Sequence, residues 1–171
     1  LRWMPFADTT WTRLGVILRR IEMTHSTQPG STTSQAARAL SRAIELSPQN
    51  AYHHANWGRF LGRMEGASAD ASNQAFDRAL NLDPYNALIF VDAIEAAMRH
   101  QEIDRAQTLA ERLVAKYPRY GVAWLWLGLI ARAADRLDEA EAFFSNAAHG
   151  EWPNDPQGLS KSRAQLEAFL R

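Results

Sequence analysis

Histidine is the side chain best able to move a proton or hold a metal near neutral pH, and the chain has five: His25, His53, His54, His100 and His149. None lies in an HExxH motif, where two imidazoles on one helical face hold zinc and the glutamate between them serves as base. His53 and His54 are adjacent, so on a helix they point about 100° apart and cannot share a ligand. Surface or packing roles are the reading for all five. The acidic neighbours Asp138, Glu139 and Glu141 suit a solvated helix face. No glycine-rich phosphate loop and no nucleophile motif is present, and the lack of cysteine removes disulfides, thiolate metal sites and cysteine nucleophiles together. The sequence therefore predicts no catalytic constellation, no metal set and no cofactor, and a protein that is not an enzyme.

Recognition by a surface is what remains. Lys plus Arg number 19 and Asp plus Glu number 19, so no broad electrostatic footprint for nucleic acid is present, and no nucleic-acid partner is expected. The longest apolar segment, Val122 to Ala131, falls far short of the roughly 20 residues that cross a bilayer, so no membrane contact is expected within this stretch. The cysteine-free composition fits cytosol and periplasm alike and leaves the compartment open. The chain opens on Leu1 rather than methionine, without the basic and then apolar run of a signal peptide, and reads as a domain cut from something longer. Trp3, Met4 and Phe6 around Pro5 read as a cap on the first helices or as the stub of a segment leaving a membrane, since tryptophan favours the water interface.

The elements that would carry such a surface are legible from one stretch, Gly121 to Pro153. It holds Trp124, Leu127 and Gly128, then Ala140, Phe144, Ala147 and Pro153, that is W-x2-L-G, a gap, A-x3-F-x2-A and a closing proline. Trp11, Leu14, Gly15 and Leu18 repeat the first half at the spacing of one helical face, and Ala36, Leu40, Ala43 and Pro48 repeat the second. His54, Trp57, Gly58 and Leu61, then Phe76, Ala79 and Pro84, form another unit, with Ser72 in an alanine slot. Phe90, Ala93, Ile94 and Ala97, then Ala106, Ala110, Leu113 and Pro118, form a further one. Successive prolines are 36, 34 and 35 residues apart from Pro48 to Pro153. Residues 25–34, HSTQPGSTTS, combine a Pro-Gly pair with small polar residues and are expected to be a long mobile loop inside the first unit.

A unit of about 34 residues with this order of large and small positions resembles the tetratricopeptide repeat, a helical hairpin. The resemblance implies an all-α right-handed superhelix of about four hairpins plus a closing helix. The expected division is one domain over 1–171: 1–7 a cap or linker stub, 8–50, 51–86, 87–120 and 121–155 the repeats, and 156–171 a capping helix that covers the last hydrophobic face.

The resemblance also implies a function, an interaction scaffold whose first helices line a concave groove for a protein or peptide segment. Carried over position by position, that groove would show Arg20 and Thr12 from the first repeat, then Tyr52, Ala55, Arg59 and Arg63 from the second. Leu88, Val91, Glu95 and Arg99 follow from the third, and Val122, Leu125, Leu129 and Arg132 from the fourth. Lysine is absent from these slots, so the family's carboxylate clamp is missing. Arg20, Arg63, Arg99 and Arg132 recur near the ends of the four first helices. They suit an acidic or amphipathic segment, although a cation there is favoured by the helix dipole in any case. A second reading, on a weaker resemblance, is the soluble accessory domain of a larger bacterial membrane-embedded enzyme such as a surface-polysaccharide (O-antigen) ligase or polymerase.

Overall fold

The computed structural model describes residues 7–24, 31–64, 68–153 and 164, with the side chains of 7, 19–24 and 31–34 outside that description. Eight α-helices follow one another: α1 Ala7–Thr24, α2 Ser31–Leu46, α3 Ala51–Leu61, α4 Ala69–Leu82, α5 Ala87–Arg99, α6 Ile103–Lys116, α7 Gly121–Ala133 and α8 Leu137–His149. The all-α expectation holds, and among the described residues there is no strand; a single bridge pairs Tyr120 with Glu151. Of the expected capping helix only Ala164 is described, in helical conformation, and the Trp3 cluster lies outside the described residues. Of the expected loop 25–34, residues 25–30 lie outside the described residues, and 31–34 belong instead to α2, which begins at Ser31. Ser and Thr are favoured at helix starts as well as in loops, so a small polar run such as STTS does not by itself mark a loop.

Capping chemistry explains where the helices start. Asn50 accepts from the Tyr52 amide at 3.0 Å, Ser68 from the Asp70 amide at 3.2 Å, and Asn86 from the Leu88 amide at 3.2 Å. Two hairpin turns end by a different device. Gln101 and Asp135 adopt positive φ, 61° and 59°, and each closes a Schellman motif. The Glu102 amide donates to the Ala97 carbonyl at 2.9 Å and the Arg136 amide to the Ala131 carbonyl at 2.9 Å.

One slot makes the same contact in two hairpins. Trp124 donates its indole N–H to the Pro118 carbonyl at 2.8 Å. His54, in the same slot of its own hairpin, has Nε2 at 2.8 Å from the Pro48 carbonyl. A carbonyl only accepts, so Nε2 carries the proton, and histidine replaces tryptophan because it keeps a donor at that point. Ser72, in an alanine slot, is fully buried, and its hydroxyl donates to the Gly58 carbonyl at 3.0 Å, so the buried oxygen is satisfied.

The chain forms two compact units, Leu1–Ile89 and Phe90–Arg171. In the first, Ala36 and Leu40 of α2 and Phe60 of α3 form a buried cluster, lined by half-buried Leu18, Trp57 and Leu61. In the second, Ala131, Ala140 and Phe144 are buried together, with Leu125, Leu129 and Phe143 packed around them. The slots expected to be small behave as such: Ala36, Ala43, Ala79, Ala106, Ala140 and Ala147 are all fully buried.

The last hairpin carries a clasp that the repeat pattern does not announce. The Gly121 amide donates to the Glu151 carbonyl at 2.9 Å, and the Glu151 amide to the Arg119 carbonyl. Trp152 donates from Nε1 to the Ala147 carbonyl at 2.9 Å. A Cβ on Gly121 would stand 2.2 Å from the Trp152 Nε1, so only glycine lets the indole lie against the start of α7.

Candidate protein-binding surface

In the first unit, Tyr52 at the start of α3 is exposed, Arg59 is half-buried, and Arg63 is exposed. Arg63 stands beyond the end of α3, in the turn that follows Leu61. The basic residue in the last turn of α3 is Arg59, so the dipole argument applies to it and not to Arg63. Arg20 belongs to α1, whose last turn has no basic residue, and its side chain is outside the described residues. Leu88, at the start of α5, is 66% exposed, among the most open of the large apolar side chains. Thr12 and Ala55, assigned to the groove by position, are instead buried, at 0% and 3% exposure.

In the second unit, Val91 and Glu95 are half-buried, and Arg99 is the exposed last residue of α5. Arg99 donates to Glu95 at 2.8 Å, so two candidate groove residues neutralise each other. An exposed i, i+4 pair of this kind is worth under about 1 kcal/mol, and an incoming carboxylate can replace it. Val122, Leu125 and Leu129 of α7 are half-buried, the last two because they pack on the core cluster of this unit. Arg132 is exposed in the last turn of α7, with its guanidinium 5.8 Å from the centre of the Phe144 ring.

His53 takes the packing role, through a hydrogen-bond network that sequence reasoning missed. Its ring is fully buried, with Nδ1 2.7 Å from the Thr12 hydroxyl and Nε2 3.0 Å from an Asp8 carboxylate oxygen. An ionised carboxylate only accepts, so Nε2 carries a proton; in the neutral ring Nδ1 then accepts from the Thr12 hydroxyl. Aspartate, histidine and hydroxyl are in the order that activates a nucleophile in hydrolases. Here Thr12 is itself fully buried, so the three act as a polar pin between α1 and α3. The register is consistent with this burial: Ala123, which stands beside the Trp124 slot as His53 stands beside His54, is fully buried too.

The pin makes stability depend on pH. The hydrogen bond from His53 is the largest influence on the Asp8 carboxyl; burial opposes it, and bonds from Ser47 and the Thr9 backbone reinforce it, leaving the group at about 2 against an ordinary 3.8. A carboxyl depressed in the folded state stabilises the fold above its unfolded value, and that contribution disappears as pH falls through the folded value. A shift of this size is worth about 2–3 kcal/mol. Denaturant unfolding of the wild type and Asp8→Asn at pH 5 and pH 2 should show the wild-type advantage shrinking by about that amount. An advantage equal at both values would mean that Asp8 is not held by its charge.

Residues 91–156 match a family model described as tetratricopeptide repeat. The fold is similar to that of MamA from Desulfovibrio magneticus RS-1, at 15% identity, with 98% of this chain and 92% of that chain covered and a TM-score of 0.66. It is similar also to PilF of Pseudomonas aeruginosa, at 16% identity over 96% of this chain and 71% of that one, TM-score 0.67. A tetratricopeptide repeat protein from Parabacteroides merdae aligns at 17% identity over 97% of this chain and 60% of that one, TM-score 0.70. No curated protein matches the chain in sequence. Residues 91–156 are tetratricopeptide repeat by sequence, and the fold of the chain is that of tetratricopeptide-repeat proteins. Such repeats are in general protein-interaction scaffolds. Among the described residues, no helix is long and apolar enough to cross a membrane.

Proposed function

We propose that the chain is a scaffold whose first helices take up an acidic or amphipathic segment of a partner protein, with 8–50, 51–86, 87–120 and 121–155 as its repeats. The observation that carries this reading is the company kept by the arginines. Exposed Arg99 and Arg132 close helices that also bear half-buried Val91, Val122, Leu125 and Leu129, and Arg59 and Arg63 follow exposed Tyr52. Aliphatic contact area beside forked cationic donors suits a segment that alternates apolar residues with carboxylates. Arg20 is assigned the same role in the first repeat, and Leu88 with Tyr52 supplies further apolar contact.

The experiment is to capture a partner by affinity purification, map the bound segment, and measure its affinity at two salt concentrations. Arg63→Ala with Arg99→Ala should weaken it by about tenfold or more and flatten its salt dependence. Unchanged affinity in a folded double variant would leave these arginines as helix-end charges and move the contact elsewhere.

A further inference from the structure

The open outer face of the first hairpin differs from the surface proposed above and stands independently of it. Between α1 and α2 lies a cleft of about 480 Å³, lined by Trp11, Leu14 and Leu18 from one helix and Gln35, Arg38 and Arg42 from the other. Ala39 forms its buried floor and Leu18 is half-buried, while Trp11 is 39% exposed, Leu14 41%, and Ile17 beside them 54%.

The repeat register shows what such a face is shaped to hold. Setting Gly15 against Gly58 places Leu14, Ile17 and Leu18 in the slots of Trp57, Phe60 and Leu61. In the second hairpin those three pack on α2, around Ala36 and Leu40, and Phe60 is only 2% exposed. Setting Ala36 against Ser72 likewise places Arg42 in the slot of Arg78. Arg78 donates to the Gln49 side chain at 3.2 Å, and Gln49 lies just beyond the end of that same covering helix. The first hairpin thus presents the receiving half of an interface whose other half, one hairpin along, is a helix with alanine and leucine four residues apart and an oxygen acceptor after its C-terminus. No described residue covers it.

We infer that this cleft docks a helix of a partner protein, one with a small residue and a leucine four apart on its buried face and a carboxylate near its C-terminal end. The carboxylate meets Arg38 and Arg42. Arg38 is exposed, and the exposed pair of Arg42 with Glu45, at 2.7 Å, can exchange partners at little cost. The leucine packs on Leu14, Ile17 and Leu18, as Leu40 clusters with Phe60 with Trp57 and Leu61 packed against them.

The test uses the full chain and a fluorescein-labelled peptide with the sequence of residues 31–50 carrying Gln49→Glu. Fluorescence polarisation should show saturable binding, weakened about tenfold by Leu14→Gln with Ile17→Gln and about threefold, with loss of salt dependence, by Arg42→Ala. Circular dichroism checks that each variant keeps its helices. Absence of saturable binding, or binding indifferent to Leu14→Gln with Ile17→Gln, overturns the inference. Two other results overturn it as well. Concentration-dependent self-association that the Leu14 and Ile17 changes abolish would make the occupant a second copy. Binding seen only after residues 1–6 are removed would make it the chain's own start.

Discussion

Phe144→Ala should cost about 3–5 kcal/mol of folding stability, and Gly128→Ala about 1–3 kcal/mol, the second despite alanine being the better helix former. The two positions form one contact. A Cβ on Gly128 would lie 2.4 Å from Cε1 and 2.5 Å from Cδ1 of Phe144, and the ring is fully buried, with Arg132 over it. It has no free side to yield towards. Alanine in a helix interior gains about 1 kcal/mol over glycine, so the net sign depends on the clash, and a gap of 2.4 Å is far inside any real carbon contact. A double variant separates the two causes. Once Phe144 is alanine there is nothing to clash with, so Gly128→Ala should then stabilise by about 1 kcal/mol. Urea denaturation of the four proteins reads the cycle directly. Additive effects would mean that α7 and α8 do not meet at this pair.

His53→Ala should cost about 2–4 kcal/mol, because it leaves the buried Thr12 hydroxyl without its partner and takes from the Asp8 carboxylate its strongest hydrogen bond, although Ser47 and the Thr9 backbone still reach it. Orphaned polar groups account for most of that cost, and the volume lost is the smaller part. Asp8→Ala and Thr12→Val combined with His53→Leu removes the orphans together with the ring, and should recover most of the lost stability. If the triple variant were no better than His53→Ala, the network would contribute only through packing. Thermal unfolding followed at 222 nm suffices for the comparison.

The architecture was legible because its cause is local and periodic. Pro48, Pro84 and Pro118 cannot extend a helix, and the Trp124, Leu127 and Gly128 slots recur with the spacing of one helical face, so hairpins could be read before any contact was known. Turn chemistry was less legible. Gln101 and Asp135 take the left-handed conformation where glycine is the usual signal, and nothing in their types announces it. The clasp of Gly150 to Trp152 on Gly121 depends on pairing between segments that the repeat pattern treats as separate units. The His53 pin joins residues 41 and 45 positions apart, and a lone histidine gives no hint of partners so distant. Candidate surface residues were legible as positions but not as environments. Thr12 is buried because His53 needs its hydroxyl, and Glu95 is the ion-pair partner of Arg99, relations that a positional rule does not contain.

The proposed binding surface is tested most directly by amide chemical-shift mapping of the isotope-labelled chain titrated with its captured partner segment. Binding along the first helices predicts shifts concentrated at Tyr52, Arg59, Arg63 and Leu88 in the first unit. In the second unit they should fall at Val91, Arg99, Leu129 and Arg132, with Asp138, Glu141 and the rest of the exposed face of α8 unmoved. Shifts confined to the second helices, or to Trp11, Leu14 and Ile17 on the first hairpin's open face, would contradict recognition at these first-helix positions.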